Sequence, residues 1–91
     1  MGKILLDDET LEVKKVVWSD SCASNVNWSF KDEIQEAEPI EIISYGVLVK
    51  ETDEYIVLAQ NFGANPKQVC NLMTIPKGCI KEIINLETLN L

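Results

Sequence analysis

Hydrophobic and polar positions alternate in short runs along this chain, and turn-forming residues separate the runs. That is the pattern of β-strands, whose successive side chains point to opposite faces. Residues 13–18, β-branched and closing on an indole, predict a first strand after a lead-in segment over 1–12. Residues 40–50 predict the longest strand. Its stretch Val47-Leu48-Val49 is apolar on both faces, so that end is expected to be covered on two sides. Gly46 lies inside it, where a glycine often marks a bulge or a sharp bend. Residues 51–54 read as a tight acidic turn, 55–60 as the antiparallel return strand, and 61–67 as a loop. Two more strands are expected over 68–75 and 79–84, broken apart by Pro76-Lys77-Gly78. Pro76 has no amide hydrogen to give a ladder, which places it at an edge or a strand switch. Residues 85–91 are expected to trail off or to pair at an edge.

One stretch follows the other periodicity. Phe30, Ile34 and Ala37 fall at i, i+4 and i+7, a single apolar stripe on a helix. Ser29 stands where a cap belongs, Asp32 three residues on completes a box-like arrangement, and Pro39 ends the run. A short helix near 30–38 follows. Ahead of it, residues 19–29 hold four Ser and two Asn in eleven positions. Such residues bond their own backbone, which predicts an ordered polar loop. One helix inserted between the first two of five strands predicts a mainly β fold with one short α-helix. The expected form is a small SH3-like or Sm-like bent antiparallel sheet or barrel. The tail Ile75-Pro76-Lys77-x-x-Ile80-x-x-Ile83 is similar to the last strands of Sm-like barrels. Ninety-one residues are read as one domain, 1–91.

Composition removes several functions. The net charge is −7, with fifteen carboxylates against eight basic residues, all of them Lys. Duplex nucleic acid is bound by neutralising phosphates, and Arg is the side chain best shaped for phosphate and guanine. No duplex nucleic-acid partner is expected. No window approaches the ~20 apolar residues of a membrane helix. The first twelve residues turn acidic after three apolar ones and do not read as a signal peptide. The expectation is a cytoplasmic protein with no membrane partner. There is no His, which removes the usual general base near neutral pH and the commonest zinc ligand. Cys22, Cys70 and Cys79 are odd in number and lack C-x-x-C spacing, which suits free thiols. No enzyme, no metal and no cofactor is expected.

The ordered set Val17-Trp18-x-Asp20-Ser21, Trp28, Ser44-x-Gly46-x-Leu48-Val49, Ile56-x-Leu58-Ala59-Gln60 and Ile75-Pro76-Lys77-x-x-Ile80 resembles a group of small bacteriophage and prophage proteins. The likeness spans roughly residues 13–84. It implies a viral gene product acting in the bacterial host cytoplasm. Small phage proteins without an enzymatic signature often act as binders, some of host defence proteins and some of the nucleotide-derived signals that defence systems make.

Two constellations could carry binding. Trp18, Ser19, Asp20, Ser21, Asn25 and Trp28 place two indoles around a polar loop. If both rings project outward, they would clamp a planar ring while hydroxyls and amides read its edges. The plain alternative is that both indoles fill a core short of large side chains. Tyr45, Gln60 and Asn61 form the second set, Tyr45 beside Gly46 and the other two where a strand becomes a loop. Lys77, in the Pro-Lys-Gly turn, would reach a phosphate as a point charge. The resulting expectation is a non-enzymatic phage protein that sequesters a small nucleotide-like molecule, a host anti-phage immune signal, and that self-associates as a homo-oligomer. The alternatives are an acidic module that inhibits a host or phage protein, and a structural or assembly part of the virion.

Overall fold

The computed structural model describes residues 3–4, 10–20, 28, 30–31, 38–63 and 68–90. Six strands form one antiparallel sheet: β1 (Lys3–Ile4), β2 (Thr10–Asp20), β3 (Ile40–Glu51), β4 (Tyr55–Phe62), β5 (Val69–Pro76) and β6 (Ile80–Asn90). The order across it is β5-β4-β3-β2-β6, and the two-residue β1 pairs with β3. The fold is therefore mainly β, as the alternation predicts.

β5 and β6 lie at opposite edges of the order, yet only the 3-10 turn Lys77–Cys79 joins them. A link that short cannot cross a flat sheet, so the sheet must curl until the end of β5 meets the start of β6. The Lys77 amide donates to the Glu54 carbonyl at 2.7 Å, which ties this turn to the one before β4. Among the described residues no ladder joins β5 to β6, so the sheet is bent without being closed.

Register irregularities supply the bending. β3 carries one extra residue, Val49, between the pairs Leu48–Leu58 and Lys50–Val57. β6 carries two, Lys81 and Leu86, opposite β2. An unpaired residue of this kind bends its strand and increases local twist. Gly46 serves a different purpose from the bulge expected there. A Cβ on it would stand 3.0 Å from Leu58 Cβ and 3.2 Å from the Ala59 carbonyl oxygen. It lets β4 approach closely, and the bulge lies three residues on.

Residues opposed across an antiparallel ladder share a face, and two apolar clusters follow from that rule. Val16, Trp18, Leu48, Ile56, Leu58 and Ile75 pack on one face, with Ile42, Cys79 and Ile80 against them. Val49, Val57 and Ala59 pack on the other, joined by Val47, Tyr55, Phe62 and Val69. Burying each full-sized aliphatic side chain contributes roughly 1.5–3 kcal/mol. The expectation that the end of β3 is covered on both sides holds, since Leu48 and Val49 belong to different clusters.

Several strands run longer than expected. The first strand begins at Thr10 and runs through Ser19 and Asp20, because β6 continues to Asn90 and offers it a partner along its length. Of the two outcomes expected for the tail, pairing at an edge is the one found: Leu89 on the edge strand β6 pairs with Leu11, which is buried. The return strand extends to Phe62, because Asn61 and Phe62 pair with Cys70 and Val69. The 51–54 turn is as expected, closed by Thr52, whose hydroxyl accepts from the amides of Glu54 and Tyr55. Of the helix expected near 30–38, residues 32–37 lie outside the described residues. Phe30, from its apolar stripe, is exposed.

Candidate functional site

The end of β2, the residue before β3 and the turn between β5 and β6 enclose a groove of about 580 Å³. It exists because Trp18 pairs with Ile80, the first residue of β6, so the turn residues stand beside the last residues of β2. Trp18, Pro39, Pro76 and Ile80 supply apolar wall. Ser19, Asp20 and Lys81 supply a hydroxyl, a carboxylate and an ammonium, and Cys79 a half-buried free thiol. Lys81 Nζ lies 3.1 Å from Glu41 Oε2 in an exposed ion pair. Exposed pairs of this sort are weak and exchange partners readily, so Lys81 stays open to another anion.

Trp18 does not project outward. It is 8% exposed, sits in the main cluster, and its Nε1–H donates to Ser44 Oγ at 3.0 Å. Burial on the strand face shared with Val16 decides this, since β-strand alternation sends both inward. The indole lines the groove as apolar wall, with its single donor already engaged. Trp28 is fully exposed, at 102%, and is not part of the groove's described lining. The two indoles are therefore not brought together as a clamp. Ser21 and Asn25 lie outside the described residues.

The second constellation does not converge either. Tyr45 is half exposed and opposes Lys15 on β2. By alternation it lies on the face opposite to Ser44, and hence to Trp18. Gln60 and Asn61 are exposed but sit within β4, not at a strand-to-loop junction, because Asn61 pairs with Cys70. Lys77 is engaged, with Nζ 2.8 Å from Glu51 Oε2. Of the residues singled out in the sequence, the groove gathers Trp18, Ser19 and Asp20. It adds Pro39, Pro76, Gly78, Cys79, Ile80 and Lys81, which pattern reading did not count among the site residues. Only the Trp18–Ile80 pairing could have revealed them, and pairing partners far apart in sequence leave no local signal.

Among the described residues no group of three His, Cys, Asp or Glu side chains is placed to hold a metal ion. No helix among them is long and apolar enough to cross a membrane. The chain matches no family model, no curated protein and no solved structure.

Proposed function

We propose that this chain is a non-enzymatic binding module that takes a small, partly planar polar molecule in the groove beside Trp18. The observation that carries the reading is the groove itself. Its size falls within the ~300–1,000 Å³ usual for ligand sites, and its wall is mainly apolar with a few polar groups. Asp20 accepts from ring N–H or amino groups, while Ser19 and Lys81 donate to ring or phosphate oxygens. That donor and acceptor set suits a nucleotide-like ligand. The narrower reading, sequestration of a nucleotide-derived immune signal by a phage protein in a bacterial host, rests on the sequence resemblance.

The test is calorimetric titration with cyclic and ADP-ribose-type nucleotides, alongside Trp fluorescence in a Trp28→Phe background, where Trp18 alone reports. The expected result is heat and a Trp18 emission change for at least one ligand, both lost in Asp20→Asn and Lys81→Met. A panel giving neither heat nor emission change would overturn it.

The reading includes self-association. β5 is an edge strand whose residues carry no charge, and Leu72 and Met73 on it are exposed. Edges left without charge invite a further strand, and a second copy of this chain is the partner proposed. The rival, an acidic surface that docks on a basic host protein, finds its support in exposed Asp53 and Glu54. Glu51 beside them is paired with Lys77. Capture of one basic partner, lost as salt rises, would favour that rival.

A further inference from the structure

A second groove lies on the opposite face of the sheet, away from Trp18. It measures about 360 Å³, and its floor is Val49 and Val57, both buried in the second apolar cluster. Val69 and Leu72 form its side, and Leu72 is 56% exposed although it is a large aliphatic residue. One end is polar. Lys50 Nζ lies 2.9 Å from Tyr55 Oη and 5.3 Å from the centroid of its ring. Together these distances put the ammonium at the hydroxyl end of the ring instead of over its face.

The local fold builds this end. The bulge at Val49 brings Lys50 opposite Val57, on the side of the second cluster. Tyr55 opens β4 after the turn and belongs to the same cluster. With Tyr55 Oη accepting from Lys50, the phenol keeps its own proton to donate. An ammonium and an O–H donor therefore stand together at the end of an apolar trough. Among the described residues Lys50 is paired with no carboxylate, whereas Lys14, Lys77 and Lys81 each are.

We infer that this groove binds a medium-chain fatty carboxylate, its head group on Lys50 and Tyr55 and its chain along Val57, Val69 and Leu72. Charge and shape both select that class. A carboxylate accepts from the ammonium and the phenol at once, in charge-assisted bonds. The chain covers apolar wall that would otherwise face water, Leu72 above all. A phosphate, with up to two negative charges, would meet a single cation, with only the Tyr55 hydroxyl and Thr74 beside it. A neutral lipid would leave Lys50 unused. The volume stands at the low end for ligand sites, which limits the occupant to a short molecule. Addition of a strand at the β5 edge engages backbone and leaves this face open. The inference is independent of the groove beside Trp18.

The probes are octanoate and its neutral counterpart octanamide, below any micellar concentration, titrated into isotope-labelled protein and followed by amide and methyl chemical shifts. The expected result is shifts at Val57, Val69 and Leu72, with octanoate bound about ten- to a hundredfold tighter than octanamide. Lys50→Met keeps the aliphatic stem and removes the charge. It is expected to weaken octanoate by about tenfold or more and to leave octanamide unchanged. Leu72→Ser, at an exposed position, is expected to weaken both. Equal affinity for the two probes, shifts confined to Trp18 and Ile80, or unchanged octanoate binding in Lys50→Met would each overturn the inference. Should Lys50→Met fail to fold, the octanoate-to-octanamide ratio and Leu72→Ser decide the matter by themselves.

Discussion

Ser44 looks unremarkable in the sequence, one hydroxyl inside a long apolar strand, yet it holds the indole that anchors the main cluster. Its Oγ accepts from Trp18 Nε1–H at 3.0 Å, and both residues stand on the same face of neighbouring strands. Removing the acceptor leaves a half-buried N–H without a partner, which costs about 1–2 kcal/mol. Ser44→Ala is expected to lower the free energy of unfolding by that amount, read from the shift in denaturant midpoint at unchanged m-value. In a double-mutant cycle with Trp18→Phe the two changes should couple, since each removes the same bond. Purely additive effects would show that the bond contributes nothing. Asn71 is a second residue whose role is local. Its φ of 59° places it in the left-handed region, which Asn tolerates far better than most residues. It stands inside the edge strand, between the pairs Asn61–Cys70 and Ala59–Leu72. Two of the candidate side chains were placed at the same scale. Trp18 turned inward and Lys77 found Glu51, because burial and a neighbouring carboxylate each outweighed the features that had marked them.

At the scale of elements, the turn between β5 and β6 shows which interactions hold the fold. Ile75 is fully buried just before it, while Lys77 within it makes a half-exposed ion pair. The apolar contact should dominate by a wide margin. Ile75→Ala removes buried methylenes and leaves a cavity, at a cost of about 2–5 kcal/mol. Lys77→Ala removes a pair worth about 0–1 kcal/mol, and less as salt is raised. Chemical denaturation of both variants, at low and high salt, measures the contrast. An Ile75→Ala cost no greater than that of Lys77→Ala would contradict the placement of the core. The strands themselves were largely legible. Alternation located β3, β4 and β5 to within a residue or two at most ends, because local side-chain periodicity reports a half-buried sheet directly. Elongation of β2 was not legible, and that of β6 was only one of two outcomes expected for the tail. The pattern Leu86-Glu87-Thr88-Leu89 has too few apolar residues to announce a strand, and it becomes one because β2 lies beside it.

For the molecule as a whole, the sheet ends in two edges and β5 is the less protected of them. β6 carries Lys81, Glu82 and Glu87, whereas β5 has no charged residue at all. With a net charge of −7 spread over the rest of the chain, long-range repulsion opposes association, and β5 is where it is opposed least. A charge placed there should act as natural edges do. In the self-association proposed above, Met73→Lys is expected to shift the protein to a smaller species in sedimentation velocity. The change should come with no loss of secondary structure, because Met73 is exposed. A wild-type protein that sediments as a monomer at tens of micromolar would refute the self-association.

The pattern of the chain was enough to determine that it folds as a small bent β-sheet, where most of its strands lie, and that Pro76 sits at a strand switch. Those features are written in nearest neighbours: alternation, turn residues and a missing amide hydrogen all act over a few positions. Only the tertiary structure decided which strands are edges, that Trp18 faces inward, and that Ile80, Lys81 and Pro39 stand beside Ser19 and Asp20. Those outcomes depend on β6 crossing back to β2, more than sixty residues apart in sequence at the Trp18–Ile80 pair. Such a pairing is set by the curl of the whole sheet, and a one-residue slip would exchange its two faces.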